Sequence, residues 1–395
     1  MSDSFRLLPT RNGWWITSGN RVSRLPHDAV HDGALSAIAR GTLEGRQFFR
    51  RDRKPFALTV LPSTACNLGC AYCFQNLGPP AGASSAPPRI PRATLSEDGI
   101  AQIREFASSR MEHLGFSEIA LLLFGGEPLL NPTGCVSLLK ALTPIGLVHA
   151  EMISNATLLT AEIAAELEAA GLRRIQVTFD GTRESHDRVR VTRRGRATYD
   201  TILANIREAA AATSLRWHFR VNVGASNLDG LEDLVEHVAS ISVAHPSTVH
   251  FALLDDVGIG YGDCLGYSDE LRERLGGLVM LAIRRGLRVP LMGTSTRDCP
   301  FCGTFAGRTG AVVSADGQLF SCWETAGKPD WAVGSMHDGY LPDAVIKDRW
   351  VSCDHLARPH GDAAARARFF DRLDALILDE TVDAGTCAAG NRSGQ

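Results

Sequence analysis

The sequence predicts an α/β fold organised on a parallel sheet, with a short N-terminal appendage and a cysteine-bearing C-terminal extension. Apolar runs alternate with helical patterns between residues 55 and 288, and this alternation is typical of parallel strands joined through helices. Six strand–helix units predict a partial, TIM-like (β/α)6 barrel that stays open. Motifs rich in cysteine, glycine or charge follow several of these strands, and α/β barrels place their chemistry at the carboxyl ends of the strands.

Each element of this prediction rests on a local pattern. Residues 1–54 contain a predicted strand and turn at Trp14–Thr17 and a predicted helix over Asp32–Leu43, and they form either a packing appendage or an element that engages substrate. The barrel strands are predicted at 56–61, 119–124, 148–153, 174–179, 217–223 and 248–253. Helices are predicted over Ser96–Leu114, Cys135–Leu142, Thr160–Ala170, Tyr199–Ala212, Leu228–Ala239 and, near the C-terminus, Asp362–Asp379.

Length and charge limit the possible classes of protein. The chain has 395 residues, enough for one large domain with appendages, and its formal net charge of −3 does not indicate a nucleic-acid surface. No apolar run reaches the length of a membrane span and the N-terminus is polar, so we expect a cytoplasmic protein without a membrane partner. Ten cysteines in such a protein indicate metal ligands before disulfides, although Cys135 and Cys264 fit no ligand pattern.

Three cysteines after the first predicted barrel strand, Cys66, Cys70 and Cys73, have the spacing C-x3-C-x2-C. One loop with this spacing can present three thiolates to three irons of a four-iron, four-sulfur (4Fe-4S) cluster, because cysteine thiolates hold such clusters. The fourth iron then keeps an open position, which distinguishes a reactive metal site from a closed one. The alternative is three ordinary buried cysteines.

With Tyr72 before its third cysteine, this loop resembles that of the radical S-adenosylmethionine (radical SAM) enzymes. A second match follows the apolar run Ile119–Phe124, where the chain reads GGEP over Gly125–Pro128. Glycines allow close approach of the backbone, and the resemblance implies that this motif meets the amino group of bound SAM. The alternative for this motif is a simple turn.

A third match ends at Arg190 and resembles the SxDG…HDxxR stretch of the branch that modifies peptides and proteins, with Thr178 in place of serine. The resemblance implies that both residues contact the carboxylate of SAM, which a guanidinium binds through two hydrogen bonds. The alternative is a solvated, charged turn. A weaker match to TNGxLL has Ala156 in place of glycine, so a different backbone is expected there. The residues expected to bind the cofactor are Tyr72, Gly125, Gly126, Glu127, Ser154, Asn155, Thr178, Asp180 and Arg190.

A second cysteine-bearing region spans residues 289–395. It contains a C-x2-C pair, and a hairpin predicted around Asp316–Gly317 brings a further cysteine back beside the pair. This region resembles the start of a SPASM or twitch extension, which carries auxiliary iron–sulfur clusters, but it has too few cysteines for a full SPASM domain. One auxiliary cluster is therefore expected, and two partly ligated clusters are the alternative. The expected ligands are Cys299, Cys302, Cys322 and either Cys353 or Cys387.

The resemblance implies a radical SAM oxidoreductase, in which a 5′-deoxyadenosyl radical made from SAM removes a hydrogen atom from the substrate. The favoured hypothesis is a maturase that oxidatively modifies or crosslinks a ribosomally made precursor peptide, with a flavodoxin- or ferredoxin-type reductant as its second partner. The alternatives are a twitch-type dehydrogenase of a small molecule such as an amino sugar, and a non-catalytic iron–sulfur electron carrier. No catalytic base is assigned, although Asp316 and Glu324 lie near the predicted hairpin.

Overall fold

The structure is a computed structural model that describes residues 5–50, 54–75, 89–254, 261–293, 304–328, 330–351 and 363–383. The chain forms two compact units, one drawn from residues 1–54, 266–297 and 357–395 and the other from residues 55–265 and 298–356. The functional division into 1–54, 55–288 and 289–395 stays a prediction, because compactness does not assign a role to a segment. Among the described residues, no helix combines the length and apolar character needed to cross a membrane.

The first unit contains an antiparallel sheet of three strands at the N-terminus. Arg6 donates hydrogen bonds of 2.6 Å to Asp371 and to the fully buried Asp374, which also accepts from the N–H groups of Met292 and Gly293. This ion pair therefore joins three separate stretches of the unit. The strands are β1 (Arg6–Thr10), β2 (Gly13–Ser18), β3 (Arg21–Leu25), β4 (Val30–His31) and β5 (Ala34–Leu35), and the helices are α1 (Ala37–Gly45), α8 (Asp269–Arg284) and α10 (Ala363–Asp383).

The helix predicted over Asp32–Leu43 is shorter than expected. Its first residues form a tight turn instead, in which β4 and β5 pair across Asp32 and Gly33. Both turn residues have positive φ, 50° and 76°, as a type I′ turn requires. The helix starts after Ser36, whose side chain caps it by accepting a hydrogen bond from the N–H of Ala39 (3.2 Å).

The second unit is built on a sheet of ten strands in the order β11-β10-β9-β8-β7-β6-β12-β13-β14-β15. The strands from β6 to β11 are parallel and lie in chain order, with β11 at the edge of the sheet, so the predicted partial barrel is confirmed. Each strand lies close to its predicted bounds. These strands are β6 (Phe56–Ser63), β7 (Ile119–Gly125), β8 (Leu147–Ser154), β9 (Arg174–Phe179), β10 (Arg216–Val223) and β11 (Thr248–Leu253).

The helices predicted between the barrel strands are all present. The first begins after Ser96, whose side chain accepts from the N–H of Gly99, and ends at Gly115 in the left-handed conformation. One more short helix, α5, was not predicted. The helices are α2 (Glu97–Leu114), α3 (Pro132–Leu142), α4 (Ala161–Ala169), α5 (Arg183–Val189), α6 (Tyr199–Ala212) and α7 (Leu231–Ala239). Single 3₁₀ turns span His27–Ala29, Pro128–Leu130, Thr143–Ile145 and Phe305–Gly307.

The two faces of β10 have different surroundings. Phe219 packs against Phe179 of β9, which packs against Tyr199 of α6, so this face of the sheet carries helices. Side chains alternate between the faces of a strand. The opposite face, which we call the interior face, therefore carries His218, Arg220 and Asn222.

The predicted hairpin at Asp316–Gly317 is confirmed, and its first strand pairs in parallel with β6. Gly317 has a φ of 84°, and Asp316 Oδ1 accepts a hydrogen bond from the N–H of Gln318 (3.3 Å), which identifies this carboxylate as a turn residue. The elements of this region are β12 (Gly310–Val313), β13 (Gln318–Phe320), β14 (Gly334–Ser335), β15 (Gly339–Tyr340) and α9 (Asp343–Ile346).

Candidate functional site

The loop that carries Cys66, Cys70 and Cys73 follows β6 and is braced by backbone hydrogen bonds. The N–H of Gly69 in this loop donates to the oxygen of Val191 (3.0 Å), and within the loop the N–H of Cys73 donates to the oxygen of Cys70 (3.2 Å). All three cysteine side chains are partly exposed and free of disulfides. The three predicted ligands therefore share one short, supported loop.

Polar hydrogens point at the sulfurs of Cys66 and Cys73. The N–H of Leu68 (3.4 Å) and Nδ2 of Asn155 (3.8 Å) donate to Cys66 Sγ, and Nη1 of Arg89 donates to Cys73 Sγ (3.2 Å). Thiolates that ligate iron–sulfur clusters accept such hydrogen bonds, which tune the cluster. This donor set fits a 4Fe-4S cluster better than it fits inert, buried thiols.

A cluster and a single ion place different geometric demands on thiols. Within the described residues, no group of three or more His, Cys, Asp or Glu side chains could hold one metal ion. A 4Fe-4S cluster does not require such convergence, because its thiolates bind different irons. Burial raises the pKa of Cys70 to about 12 and also raises the pKa of Cys66. Such thiols lose their protons when metal binds.

The glycine motif at the end of β7 meets the cysteine loop through its backbone. The N–H of Gly126 donates to the oxygen of Ser63 (3.0 Å) and the N–H of Glu127 to the oxygen of Ala65 (2.8 Å). A Cβ on Gly126 would overlap the Ala65 oxygen, and Gly125 has a φ of 129°, so both positions need glycine. The motif fixes the start of the cysteine loop, and its contact with SAM stays a prediction.

Glu127 is buried, and both of its carboxylate oxygens accept hydrogen bonds. Oε1 accepts from the hydroxyl of Ser154 (2.8 Å) and the N–H of Leu129 (3.0 Å), and Oε2 accepts from the N–H of Asn155 (2.7 Å). Burial raises the pKa of Glu127, while these hydrogen bonds act in the opposite direction. The carboxylate therefore clamps the end of β7 to the end of β8, a role that the sequence did not reveal.

Asn155 connects the end of β8 to the cysteine loop. Besides Cys66, its Nδ2 contacts Oδ1 of Asn67 (2.8 Å), and its Oδ1 accepts from the hydroxyl of Thr157 (2.7 Å). Ala156 follows with a φ of 58°, a conformation that glycine adopts without strain. The sequence had led us to expect a different backbone here, because alanine replaces glycine. The chain instead has a conformation that suits glycine, so alanine at this position brings backbone strain.

Tyr72 lies at the centre of a buried network at the ends of β9 and β10. Its hydroxyl donates to Asp180 Oδ2 (2.7 Å) and accepts from Arg190 Nη1 (2.6 Å) and Asn222 Nδ2 (3.1 Å). Asn222 also donates to Asp180 Oδ1 (3.1 Å), and Arg190 Nε lies 3.6 Å from Asp180 Oδ2. Three of the predicted site residues thus come together, with Asn222 as an unpredicted fourth member.

The network keeps Arg190 charged. Burial works against this charge, but Tyr72, Cys70 and Asp180 together raise the pKa of Arg190 well above its ordinary value. Burial raises the pKa of Asp180, and Arg190 opposes that shift. A permanent cation therefore lies close to the cysteine loop.

His186 and Asp187, the HD pair of the HDxxR stretch, support the fold around the site. His186 is fully buried, and its Nδ1 accepts a hydrogen bond from the N–H of Asp180 (3.3 Å). Burial lowers the pKa of His186 well below its ordinary value, so the ring stays neutral. Asp187 accepts from the N–H groups of Thr198 and Tyr199 and thereby caps α6. The alternative of a solvated turn is therefore wrong.

A layer of basic side chains lies on the interior face of the sheet and consists of His218, Arg220 and His250. Thr178 lies outside the Tyr72 network and pairs in register with Arg220, which pairs in turn with His250. Arg220 Nε donates to Asn222 Oδ1 (2.9 Å), and among the described residues no carboxylate forms an ion pair with it. Burial lowers the pKa of Arg220, that of His218 to about 4 and that of His250 to about 3. We call these three residues the interior basic layer.

Cys322 follows β13 and lies buried in an apolar cluster with Leu61 and Phe124, against which Trp323 packs. The hairpin thus brings this cysteine beside the strands that lead to the first site. Its expected partners, Cys299, Cys302, Cys353 and Cys387, lie outside the described residues. The auxiliary cluster therefore stays a prediction.

Three contributors to the site were not predicted: Arg89, Arg220 and Asn222. The last two carried a signal, because polar residues at alternate positions of an otherwise apolar strand indicate a functional face. Arg89 carried none. Its contact with Cys73 depends on the path of the chain and not on a motif.

The fold and site together define a cluster-binding partial-barrel protein, with three thiols on the loop after the first barrel strand. Residues 60–238 match the family model described as the Radical SAM superfamily. Residues 60–238 therefore match the superfamily predicted from the motifs, whereas the SPASM or twitch branch stays a prediction.

Among curated proteins, the chain is similar to the GTP 3′,8-cyclase of Peptoclostridium acidaminophilum, with 32% identity over 181 residues, or 45% of this chain and 50% of that protein. It thus spans about half of that relative. Its fold is similar to anSMEcpe with bound AdoMet and Cp18Cys peptide (TM-score 0.57, 14% identity, 83% of this chain and 99% of that chain). It is also similar to Streptococcus suis SuiB bound to S-adenosylmethionine (TM-score 0.51, 13% identity, 88% and 90%). These identities support the fold alone.

Proposed function

We propose that this protein is a radical SAM enzyme that oxidatively modifies or crosslinks a ribosomally made precursor peptide. The observation that carries this proposal is the arrangement of three thiols, a charged arginine and a buried carboxylate clamp at one edge of a partial barrel. A reduced 4Fe-4S cluster, when bound, supplies the electron that cleaves SAM into methionine and a 5′-deoxyadenosyl radical. A flavodoxin- or ferredoxin-type protein would supply that electron.

The residues around the cysteines position the thiols. Cys66, Cys70 and Cys73 would hold the cluster. Asn155 donates to the Cys66 sulfur, and Glu127 fixes the backbone of Asn155 through a 2.7 Å hydrogen bond. This chain of contacts sets the orientation of one ligand from the neighbouring strand, as outer contacts do in metal sites.

Arg190 would bind the carboxylate of SAM. Its Nη1 is held by Tyr72, and its buried Nε lies in an ion pair 3.6 Å from Asp180 Oδ2 but makes no hydrogen bond. A buried donor without a partner is uncommon in folded proteins and favours a ligand. A guanidinium pairs with a carboxylate through charge-assisted hydrogen bonds. Tyr72 and Asp180 act as the support that aims the guanidinium.

Two observations favour a peptide as the substrate. The fold resembles that of anSMEcpe, which was solved with a bound peptide. The hairpin of β12 and β13 also matches the SPASM-like pattern, in which Cys322 and its predicted partners would hold an auxiliary cluster. Such a cluster would accept the second electron of a two-electron oxidation.

A small anionic molecule is the second candidate substrate. The interior basic layer favours it, because no carboxylate of the described residues forms an ion pair with the half-buried Arg220, and an anion would neutralise this cation. The similarity to a protein named GTP 3′,8-cyclase points in the same direction. A twitch-type dehydrogenase of a small molecule such as an amino sugar is a separate alternative, because amino sugars carry positive charge and the basic layer does not favour them.

The test is an assay under strictly anaerobic conditions. The reconstituted full chain is incubated with SAM and dithionite, and 5′-deoxyadenosine is measured by liquid chromatography. A candidate precursor peptide, encoded beside the gene, is then added and analysed by mass spectrometry. We expect 5′-deoxyadenosine and a peptide that has lost two hydrogen atoms.

Three outcomes separate the hypotheses. If a variant with alanine at all three loop cysteines still forms 5′-deoxyadenosine, the assignment of the SAM-cleaving cluster to this loop is wrong. If cofactor cleavage occurs but only small molecules are converted, conversion of a nucleotide supports the anionic candidate and conversion of an amino sugar supports the twitch-type dehydrogenase. An iron–sulfur protein that never cleaves SAM would be the electron carrier.

A further inference from the structure

Arg89 makes a contact that the proposed chemistry does not yet use. Its Nη1 donates to Cys73 Sγ (3.2 Å), and its Nη2 donates to Gln75 Oε1 (2.7 Å) and contacts the backbone oxygen of Thr64 (3.5 Å). Thr64 and Gln75 lie on either side of the cysteine trio, and both are buried. The guanidinium is therefore held against one sulfur from two directions.

The charge of Arg89 is directed at the cysteine loop. Among the described residues, no carboxylate forms an ion pair with it, and its Nε is buried without a hydrogen-bond partner. Among the contacts of the described residues, the guanidinium lies 3.2 Å from the Cys73 sulfur, which as a thiolate would balance the cation. An unneutralised guanidinium at hydrogen-bond distance is a strong local electrostatic influence, because the surroundings are poorly solvated.

We propose that Arg89 is a positioning residue that raises the midpoint potential of the 4Fe-4S cluster through its charge and its N–H···S hydrogen bond to Cys73. Reduction adds one electron, and so one negative charge, to the cluster and its ligands. A fixed cation and a hydrogen bond to sulfur stabilise the more negative state, and both are known determinants of cluster potential. The inference rests on the cluster of the proposed function but not on the identity of the substrate.

A purely structural role is the competing explanation. Arg89 connects Thr64 to Gln75 and so braces the loop whether or not it affects the electron. Loss of a brace would lower iron content or thermal stability. It would leave the potential of clusters that do assemble unchanged, so potential is the measurement that separates the two roles.

The experiment is a redox titration of the anaerobically reconstituted full chain, without SAM, followed by electron paramagnetic resonance and normalised to bound iron. Three variants are compared with the wild type: R89Q, R89K and R92Q. Arg92 is an exposed arginine of the same segment and is the matched control. For R89Q we expect the ratio of reduced to oxidised cluster at a fixed potential to fall about tenfold, a shift of about 59 mV to more negative values.

The midpoint potential of R89K should shift in the same direction but by a smaller amount, because lysine keeps the charge but not the planar fork of arginine. R92Q should titrate like the wild type. An unchanged midpoint in iron-loaded R89Q overturns the inference. If R89Q does not load iron, R89K decides, and a wild-type midpoint there also overturns it. A wild-type chain that binds no cluster would overturn the proposed function itself, and this inference with it.

Discussion

The carboxyl edge of the barrel and its interior face differ in how the charges of their side chains are compensated. At the edge, Glu127 accepts three hydrogen bonds, and Asp180 and Arg190 share Tyr72. In the interior basic layer, Arg220 has one hydrogen bond and no acidic partner among the described residues, and His218 lies beside His250 with ring centroids 6.1 Å apart. The charged groups at the edge therefore compensate one another, whereas in the interior basic layer no carboxylate of the described residues forms an ion pair with Arg220.

This difference suggests a division of labour. Groups that must hold a cofactor in one geometry benefit from a network that fixes them in advance. A buried cation without a partner costs stability, and such a cost is expected where a substrate supplies the missing charge. The following predictions test whether the two regions behave in this way, from the largest expected effect to the smallest.

The largest effect should come from the cysteine loop. Replacing Cys66, Cys70 or Cys73 with alanine should abolish 5′-deoxyadenosine formation and remove the iron of this site, because each thiolate is one of only three protein ligands. C135A is the matched control, since Cys135 is fully buried but donates only to the backbone oxygen of Pro128. Iron analysis and cofactor cleavage are measured together. Iron loss in C135A equal to that in the loop variants would contradict the assignment.

Arg190 and Arg220 should separate cofactor binding from substrate binding. R190Q should weaken SAM binding roughly 100-fold, because charge-assisted hydrogen bonds contribute about 1.5–3 kcal/mol each. R220Q should leave SAM binding unchanged and reduce only turnover with substrate. Equilibrium dialysis with SAM and with decarboxylated SAM measures this, and R190Q should bind the decarboxylated compound as well as the wild type does. The reverse pattern would exchange the roles of edge and interior.

The clamp at Glu127 should contribute to stability. E127Q should lower the free energy of unfolding by about 2–3 kcal/mol, because an amide group cannot accept all three hydrogen bonds of the buried carboxylate. Urea denaturation of the apoprotein measures the change, with E97Q, at an exposed position of α2, as the control. A value for E127Q within error of the control would mean that the clamp is not formed in solution.

The interior histidines should make the fold sensitive to acid. The folded-state pKa of His218 is lowered to about 4 and that of His250 to about 3, so the unfolded chain binds these protons at higher pH than the folded chain does. Stability should therefore fall as pH decreases from about 6.5 to about 4, by about 1–2 kcal/mol for His218 after allowance for its partial exposure. H218Q should flatten this part of the profile of unfolding free energy against pH. A profile as steep as that of the wild type would show that His218 is solvated.

The smallest effect should come from Ala156. A156G should raise the free energy of unfolding by up to about 1 kcal/mol, because it removes the strain of a positive φ while the flexibility of glycine in the unfolded chain offsets part of the gain. Thermal unfolding of the apoprotein measures this. A loss of stability instead would indicate that the buried methyl group outweighs the strain.

The sequence predicted most of the edge and little of the interior. Continuous apolar strands and the glycine and cysteine motifs are local signals, and they singled out Tyr72, Asp180 and Arg190, which the structure brings into one network. Arg220 was missed because its importance depends on the side chains around it, and these are set by the packing of the strands. The type I′ turn at Asp32 was missed because its two flanking strands are too short to give an alternating pattern.

The pairing of β12 with β6 limits how this protein can be divided. All eight residues of β6 are buried, and β12 covers the backbone groups along one side of that strand. A truncated chain that ends before residue 310 would leave an apolar strand with an open edge, which is a template for aggregation. A chimera that takes its C-terminal region from another enzyme should therefore be joined after Val313. The chimera then keeps the pairing of β12 with β6.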